Sequence, residues 1–446
     1  MDSCIRWACL CAGVALMGCL ACAVEARADP QYVELGTLGG AYADAEAISA
    51  DGGTVVGASE TVTASRHAFL WRAKTNKMID LGAANLGPST ATAVNANGTV
   101  AVGYASPIDT LDTNSELPFR WKAGKMTLLQ PLGAAPKKKG TGRAWGVSAT
   151  GGTVVGGSTT STGNLHAFLW TVGSGMIDLG TAAPAAMTTA FAISENAWTV
   201  AGLVELNQPV VWMASGAGMQ MHVLPMPQGA AAAAPLSVNA NGSLVAGAAI
   251  FGTTWHGIIW ALKSGHWTIV GDADDMSFYG VAGSHAEARA VGVGGPTEPA
   301  HAMIADLHGS LTWTGANDIP NLTPKPVDRV LRIGEGVSRD GTAIAGNSSA
   351  VPDAPAQAQR AFFISGLKKI GGIIQAKKPP IIRRHFEVTC PAPCRLGPPP
   401  SPEQLVVLEQ FALGSTDGQV SPNPRASRLR LIFEQLLQAR KSRAAR

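Results

Sequence analysis

The stretch "AISADGGTVVGAS", residues 47–59, is a short alternating run, an Asp-Gly-Gly turn, a second alternating run and a closing glycine. Asp, Asn and Gly supply the positive φ that tight turns require, so the stretch reads as an antiparallel hairpin. The same pattern returns as "AVNANGTVAVGYA" (93–105), "GVSATGGTVVGGS" (146–158), "AISENAWTVAGLV" (192–204), "SVNANGSLVAGAA" (237–249) and "GVSRDGTAIAGNS" (336–348), with a weaker copy, "SHAEARAVGVG", at 284–294. The closing glycines are Gly57, Gly103, Gly156, Gly202, Gly247, Gly292 and Gly346, spaced by 46, 53, 46, 45, 45 and 54 residues. A fixed internal period is the mark of a repeat architecture.

Each hairpin is followed by an apolar run, usually ending in an aromatic: "HAFLW" at 67–71 and again at 166–170, "LPFRW" at 117–121, "PVVW" at 209–212 and "HGIIW" at 256–260. "HAMIA" at 301–305 and "AFFIS" at 361–365 are degraded versions. A polar turn and a fourth run come next, written "MIDLG" at 78–82 and 176–180. Four short antiparallel strands per unit, seven times over, predict an all-β chain folded as a propeller of about seven blades, residues 29–374. An eight-unit ring or an open solenoid is the alternative. One blade cannot bury both of its faces, but a closed ring of blades can, and closure removes the exposed edge. "YVELG" at 32–36 resembles a fourth strand with no unit before it, so it is expected to pair into the final blade. That blade carries its own weak "LKKIGG" (367–372), which leaves open an added fifth strand.

The composition agrees: 46% hydrophobic and 15% charged residues with 52 Gly and 28 Pro favour short strands and turns over long helices. The net charge is +3, but residues 375–446 hold 12 Lys and Arg against 5 Asp and Glu, so everything before them is net −4. An acidic body argues against nucleic acid as a partner.

"HAFLW", the following "MIDLG" and "AISADGGTVVG" together resemble the HAF-repeat family of bacterial exported repeat proteins. The resemblance covers residues 32–372 and is sharpest in the first and third units. It implies an exported, propeller-like array, often in surface or autotransporter contexts, and carries over no catalytic residue. Residues 375–446 lack the many ten-residue alternating strands of a membrane barrel, which separates this chain from the autotransporter members. His67, His166, His256 and His301 begin the third strand of their units, where the second and fourth units have Leu117 and Gln208. Histidines spread one per blade read as blade-stabilising hydrogen bonds rather than a ring of metal ligands.

Both ends depart from the repeat. Residues 1–28, with Arg6, the run "ACLCAGVALMGCLACAV" and "ARA" at 26–28, read as a cleaved signal peptide, which places the chain in the periplasm or outside the cell. "LMGC" ending at Cys19 resembles a lipobox, so a lipid anchor in the outer membrane is the minor alternative. Only Cys390 and Cys394 would remain after cleavage, and an exported pair in "CPAPC" is expected to close a small disulfide loop. Residues 375–400 read as a Pro-rich basic linker and 401–446 as a helical basic tail. There Leu429, Ile432, Phe433, Leu436 and Leu437 share one helical face, suited to the propeller, a partner or a membrane surface.

No phosphate-cradling glycine loop and no "HExxH" occurs. The acidic residues Asp44, Glu46, Asp109, Asp112, Asp274 and Asp275 are scattered in sequence, although blades are able to bring distant residues together. The expected function is non-catalytic binding of a protein or glycan by a monomer through rim loops, with no cofactor. The long loop "ASPIDTLDTNSELP" (105–118) offers Asp109, Asp112 and Glu116 as candidate binding residues. The alternatives are a glycan hydrolase or lyase with its site at the central mouth, and a structural envelope component.

Overall fold

In the computed structural model, residues 30–370 are described except 83–86, 107–115, 134–139, 182–185, 217, 253, 263–265, 271–275, 285, 295–300, 309–311, 319–328 and 351–358, together with residues 436, 437, 440 and 441. They form seven four-stranded antiparallel sheets arranged as the blades of a propeller. The first blade runs outward through Gly39–Ile48, Thr54–Thr61, Arg66–Arg72 and Lys77–Asp80. The innermost strands of the others are Ser89–Val94, Gly142–Val147, Thr188–Ile193, Ala232–Val238, Ser277–Gly283 and Arg329–Val337. The seventh blade holds Arg329–Val337, Ile344–Ala350 and Arg360–Ser365, and its fourth strand is Gln31–Glu34 from the start of the chain. Tyr32 lies opposite Ile364 and Val33 opposite Phe363. The early strand therefore locks the ring. The described part of "LKKIGG", Leu367–Ile370, is irregular backbone and adds no fifth strand, and the eight-unit and open alternatives fall away.

The repeated letters have local causes. In six blades a Ser or Asn side chain at the turn accepts the backbone N–H of the residue five positions on: Ser49 from Thr54 (3.0 Å), Asn95 from Val100 (2.8 Å), Ser148 from Thr153 (3.2 Å), Ser194 from Thr199 (3.0 Å), Asn239 from Leu244 (2.9 Å) and Ser338 from Ala343 (2.9 Å). Such side-chain bonds fix the turn, and with it the register of the hairpin.

The closing glycines answer to a bulge. In each blade the innermost strand carries an unpaired bulge residue, at Glu46, Thr92, Trp145, Phe191, Leu236, Tyr279 and Glu335, and the first and seventh blades have a second irregularity, between Gly39 and Ala43 and at Arg332. The bulge tips the backbone before it towards the second strand. A Cβ on any of the seven closing glycines would lie closer than 3.0 Å to a carbonyl oxygen there. Glycine is the residue that permits this approach.

"HAF" and "DLG" return together because they form one staple. His67 Nδ1 meets Asp80 Oδ2 at 2.9 Å, and His166 Nδ1 meets Asp178 Oδ2 at 2.7 Å. The other oxygens, Asp80 Oδ1 and Asp178 Oδ1, each accept the N–H of Gly82 and Gly180 at 2.7 Å. The N–H groups of Ala68 and Ala167 reach the next blade, donating at 2.9 Å to Ser89 Oγ and Thr188 Oγ1. The sixth blade, least regular in sequence, is tied to the seventh by Arg289, which forks onto Asp306 (2.7 and 2.8 Å) and donates to the carbonyls of Gly341 (2.6 Å) and Lys368 (2.9 Å). Apolar clusters fill the gaps between blades, such as Val55, Phe69, Trp71, Ala345 and Phe363 between the first and seventh.

Candidate functional site

The bulges aim seven side chains at the axis, all buried. Trp145, Phe191, Leu236 and Tyr279, from four consecutive blades, belong to one apolar cluster, so they meet at the centre and plug it. Leu436 and Leu437 of the tail are buried in the same cluster, beside Leu203, Leu206 and Ile250 at the ends of second strands. Leu436 and Leu437 thus pack towards the axis from the face where the chain passes between blades, here the loop face.

The bulge residues of the first and seventh blades are Glu46 and Glu335, and the loop face is charged on this side. Asp44 pairs with Arg66 at 3.3 Å, their side chains 16% and 33% exposed. Glu116 pairs with Arg143, both nearly buried. The Arg143 guanidinium lies 4.7 Å from the Tyr104 ring centroid and 5.9 Å from that of Trp145, a cation–π arrangement. Burial raises the Asp44 carboxyl above its ordinary value, and the attraction of Arg66 only partly offsets this. Burial raises the Tyr104 hydroxyl as well, against the influence of Arg143. Asn347 donates to the carbonyl of Ala45 (3.0 Å) and to Glu335 (3.4 Å), joining the seventh blade to the first beneath this sector.

On the opposite face, where tight turns join first and second strands, a cavity of about 170 Å³ enters the axis. The residues after the bulges wall it, among them Ala47, Ala93, Ala192 and Ser237. The turns around it are stitched by backbone bonds: Asp51 to Ala96 (3.0 Å), Ala96 to Ala149 (3.3 Å), Ala149 to Glu195 (3.0 Å) and Arg339 to Ala50 (2.9 Å). Arg339 on the seventh blade crosses the mouth to Glu195 on the fourth, forking onto both carboxylate oxygens, with Nε to Oε1 at 2.9 Å. The hydrogen bond to Glu195 holds the guanidinium above its ordinary value, against the effect of burial.

Of the residues singled out from sequence, the structure brings Asp44, Glu46 and Glu116 to the loop-face mouth. Glu116 is a buried partner of Arg143 rather than a loop-tip group. Asp109, Asp112, Asp274 and Asp275 lie outside the described residues, as do the signal segment, Cys390 with Cys394, and the linker. His256 faces Thr254 Oγ1 at 3.2 Å and stacks edge-on against Phe251, a third histidine engaged within its blade. Among the described residues no group of three or more His, Cys, Asp and Glu is placed to hold a metal ion. Arg66, Arg143, Tyr104, Glu195, Glu335 and Arg339 were not singled out. One signal was available for the bulges: six of the seven lie eleven positions before the closing glycine.

No family model matches the chain. No curated protein matches its sequence. Solved structures with a similar fold include the oligogalacturonate lyase of Vibrio parahaemolyticus, at 9% identity over 75% of this chain and 93% of that one, with a TM-score of 0.46. U3-55K matches at 11% identity over 76% of this chain and 98% of that one, with a TM-score of 0.44. TolB from Acinetobacter baumannii matches at 12% identity with a TM-score of 0.33, over 50% of this chain. The chain spans about half the length of that TolB, at 52%.

Proposed function

We propose that this is an exported, non-catalytic binding propeller of the bacterial cell envelope or extracellular space, built of HAF-type repeats, which recognises a protein or glycan at its loop face. The observation that carries the reading is the pairing of charges there. Asp44 is engaged with Arg66 and Glu116 with Arg143, so these carboxylates serve as rigid supports for guanidinium groups. Arg66, one-third exposed, stands beside the half-buried Tyr42, and this cation next to an aromatic suits the hydroxyl- and amide-rich surface of a glycan or peptide.

A second reading, a glycan hydrolase or lyase, draws on one observation: the raised pKa of Asp44, which fits a proton donor or acceptor in a cleft. A single experiment separates the two. The purified protein is titrated calorimetrically with a panel of cell-wall and pectic oligosaccharides and envelope peptides, while new reducing ends and the ultraviolet absorbance of unsaturated products are followed. Binding without turnover, weakened in Arg66→Ala, supports the first reading. Turnover abolished in Asp44→Asn supports the second. No binding of any member by either protein overturns both.

A further inference from the structure

The turn-face cavity is separate from the loop-face mouth, with the plug of Trp145, Phe191, Leu236 and Tyr279 between them. Its entrance carries a feature the repeat does not need. At the turn position occupied by Glu195 and Arg339, four other blades have alanine: Ala50, Ala96, Ala149 and Ala240. Neighbouring turns are already tied, four pairs by backbone bonds and the others through the side chains of Asn196, Asn239 and Arg289, so the ring closes without this pair. Yet among the described residues the two charged ones at this position stand on blades as far apart as a ring of seven allows, and they reach across the mouth to each other. Their side chains are only 18% and 33% exposed, so a ligand that engages one and strands the other leaves a poorly hydrated charge unpaired.

We propose that this entrance is a binding site for a small zwitterion, an α-amino acid with an apolar side chain. Its carboxylate takes the place of Glu195 on the Arg339 fork. Its ammonium takes the place of Arg339 on Glu195. Both charges stay compensated, which neither a simple acid nor a simple amine achieves. The side chain enters the cavity of about 170 Å³, walled by Ala47, Ala93 and Ala192, with Ser237 and Glu335 also on its lining. A cavity of roughly 150 Å³ holds a molecule the size of benzene, so leucine and phenylalanine are of fitting bulk. Asp51 and Asp340 act on Arg339 from nearby turns and favour the ammonium end of the ligand.

The test is calorimetric titration of the full-length protein with L-leucine and L-phenylalanine, with leucinamide (no carboxylate) and N-acetyl-leucine (no ammonium) as matched probes. The free amino acids are expected to bind about tenfold or more tightly than either capped form, because each cap leaves one buried charge unpaired. Arg339→Met and Glu195→Gln are each expected to lose binding. The double variant Glu195→Met with Arg339→Met removes both charges at once, so it leaves none stranded and keeps the fold while binding nothing. Absence of binding by the wild-type protein, equal affinity for capped and free forms, or retained affinity in the folded double variant each overturns the proposal. None of these outcomes bears on the loop-face site, whose test uses different ligands and Arg66.

Discussion

A Cβ on Gly57 would lie inside 3.0 Å of the carbonyl oxygen of Asp44. Asp44 precedes Ala45 and the bulged Glu46 on the innermost strand, so the glycine of one strand and the channel geometry of the next are one feature. The same holds in all seven blades, which is why the closing glycines keep the period while the residues aimed at the axis vary from Glu to Trp.

Replacing one such glycine is therefore costly. Gly202→Ala, whose Cβ would meet the carbonyl of Thr189 and the ring of Trp212, is expected to lose about 2–4 kcal/mol. Gly173→Ala, in a turn where a Cβ meets nothing within 4 Å, is expected to stay within about 0.5 kcal/mol of wild type. Urea titrations of both variants check the contrast, and similar midpoints for the two would contradict the bulge argument.

The staple between blades gives a second prediction. Thr188 Oγ1 accepts the buried N–H of Ala167 and donates to the carbonyl of Gly180 at 3.2 Å. Thr188→Val keeps the shape and strands that donor, with an expected loss of about 1–3 kcal/mol. Thr162→Val, at an exposed turn of the neighbouring third blade, serves as the control and is expected to be nearly neutral. The comparison is made by thermal unfolding at fixed pH.

How much of this was legible follows from the physics of repeats. Turn caps such as Ser49 and Asn95, and glycines such as Gly57, act within one hairpin, so their spacing is written directly in the chain and the seven blades can be counted. The closing strand was legible for the same reason, because Tyr32–Gly36 carries the letters of a fourth strand without its unit. The sites were not. Arg66, Tyr104 and Arg143 come from three blades, and Glu195 finds Arg339 across 144 residues, because ring closure converts distance along the chain into proximity at the axis. No local pattern reports that conversion. The plug was hidden for another reason: Trp145, Phe191, Leu236 and Tyr279 share a position but not a residue type, so a search for repeated letters passes over them.

The tail and the ring are expected to come apart without unfolding the propeller. Gln31–Glu34 closes the last blade, so the sheets do not depend on residues 436 and 437 for their pairing. Leu436 is nonetheless fully buried against the plug. Leu436→Asp places a carboxylate where an apolar group was packed and is expected to release the helix. Cleavage by trypsin after Arg440 and Lys441 should accelerate by about tenfold or more as the docked form is depopulated. The far-ultraviolet circular dichroism should remain that of a β protein. Loss of the β signal in this variant would show that the tail is part of the folding unit.

Acid titration tests the charged sector. Burial raises the Asp44 carboxyl above the unfolded value of 3.8, with Arg66 opposing. A carboxyl whose pKa is higher in the folded state binds protons more readily there. Its contribution to stability is therefore fully present below pH 3.8 and is lost as pH rises through the folded pKa. The stability of wild type relative to Asp44→Asn should accordingly fall as pH is raised from 3.8 through the acid range, and level off once the folded carboxyl is ionised. The opposite slope would mean that the pairing with Arg66 outweighs burial, making Asp44 an ordinary ion-pair carboxylate. The proton-transfer reading of the loop-face mouth would then lose its support, and the binding reading would stand without it.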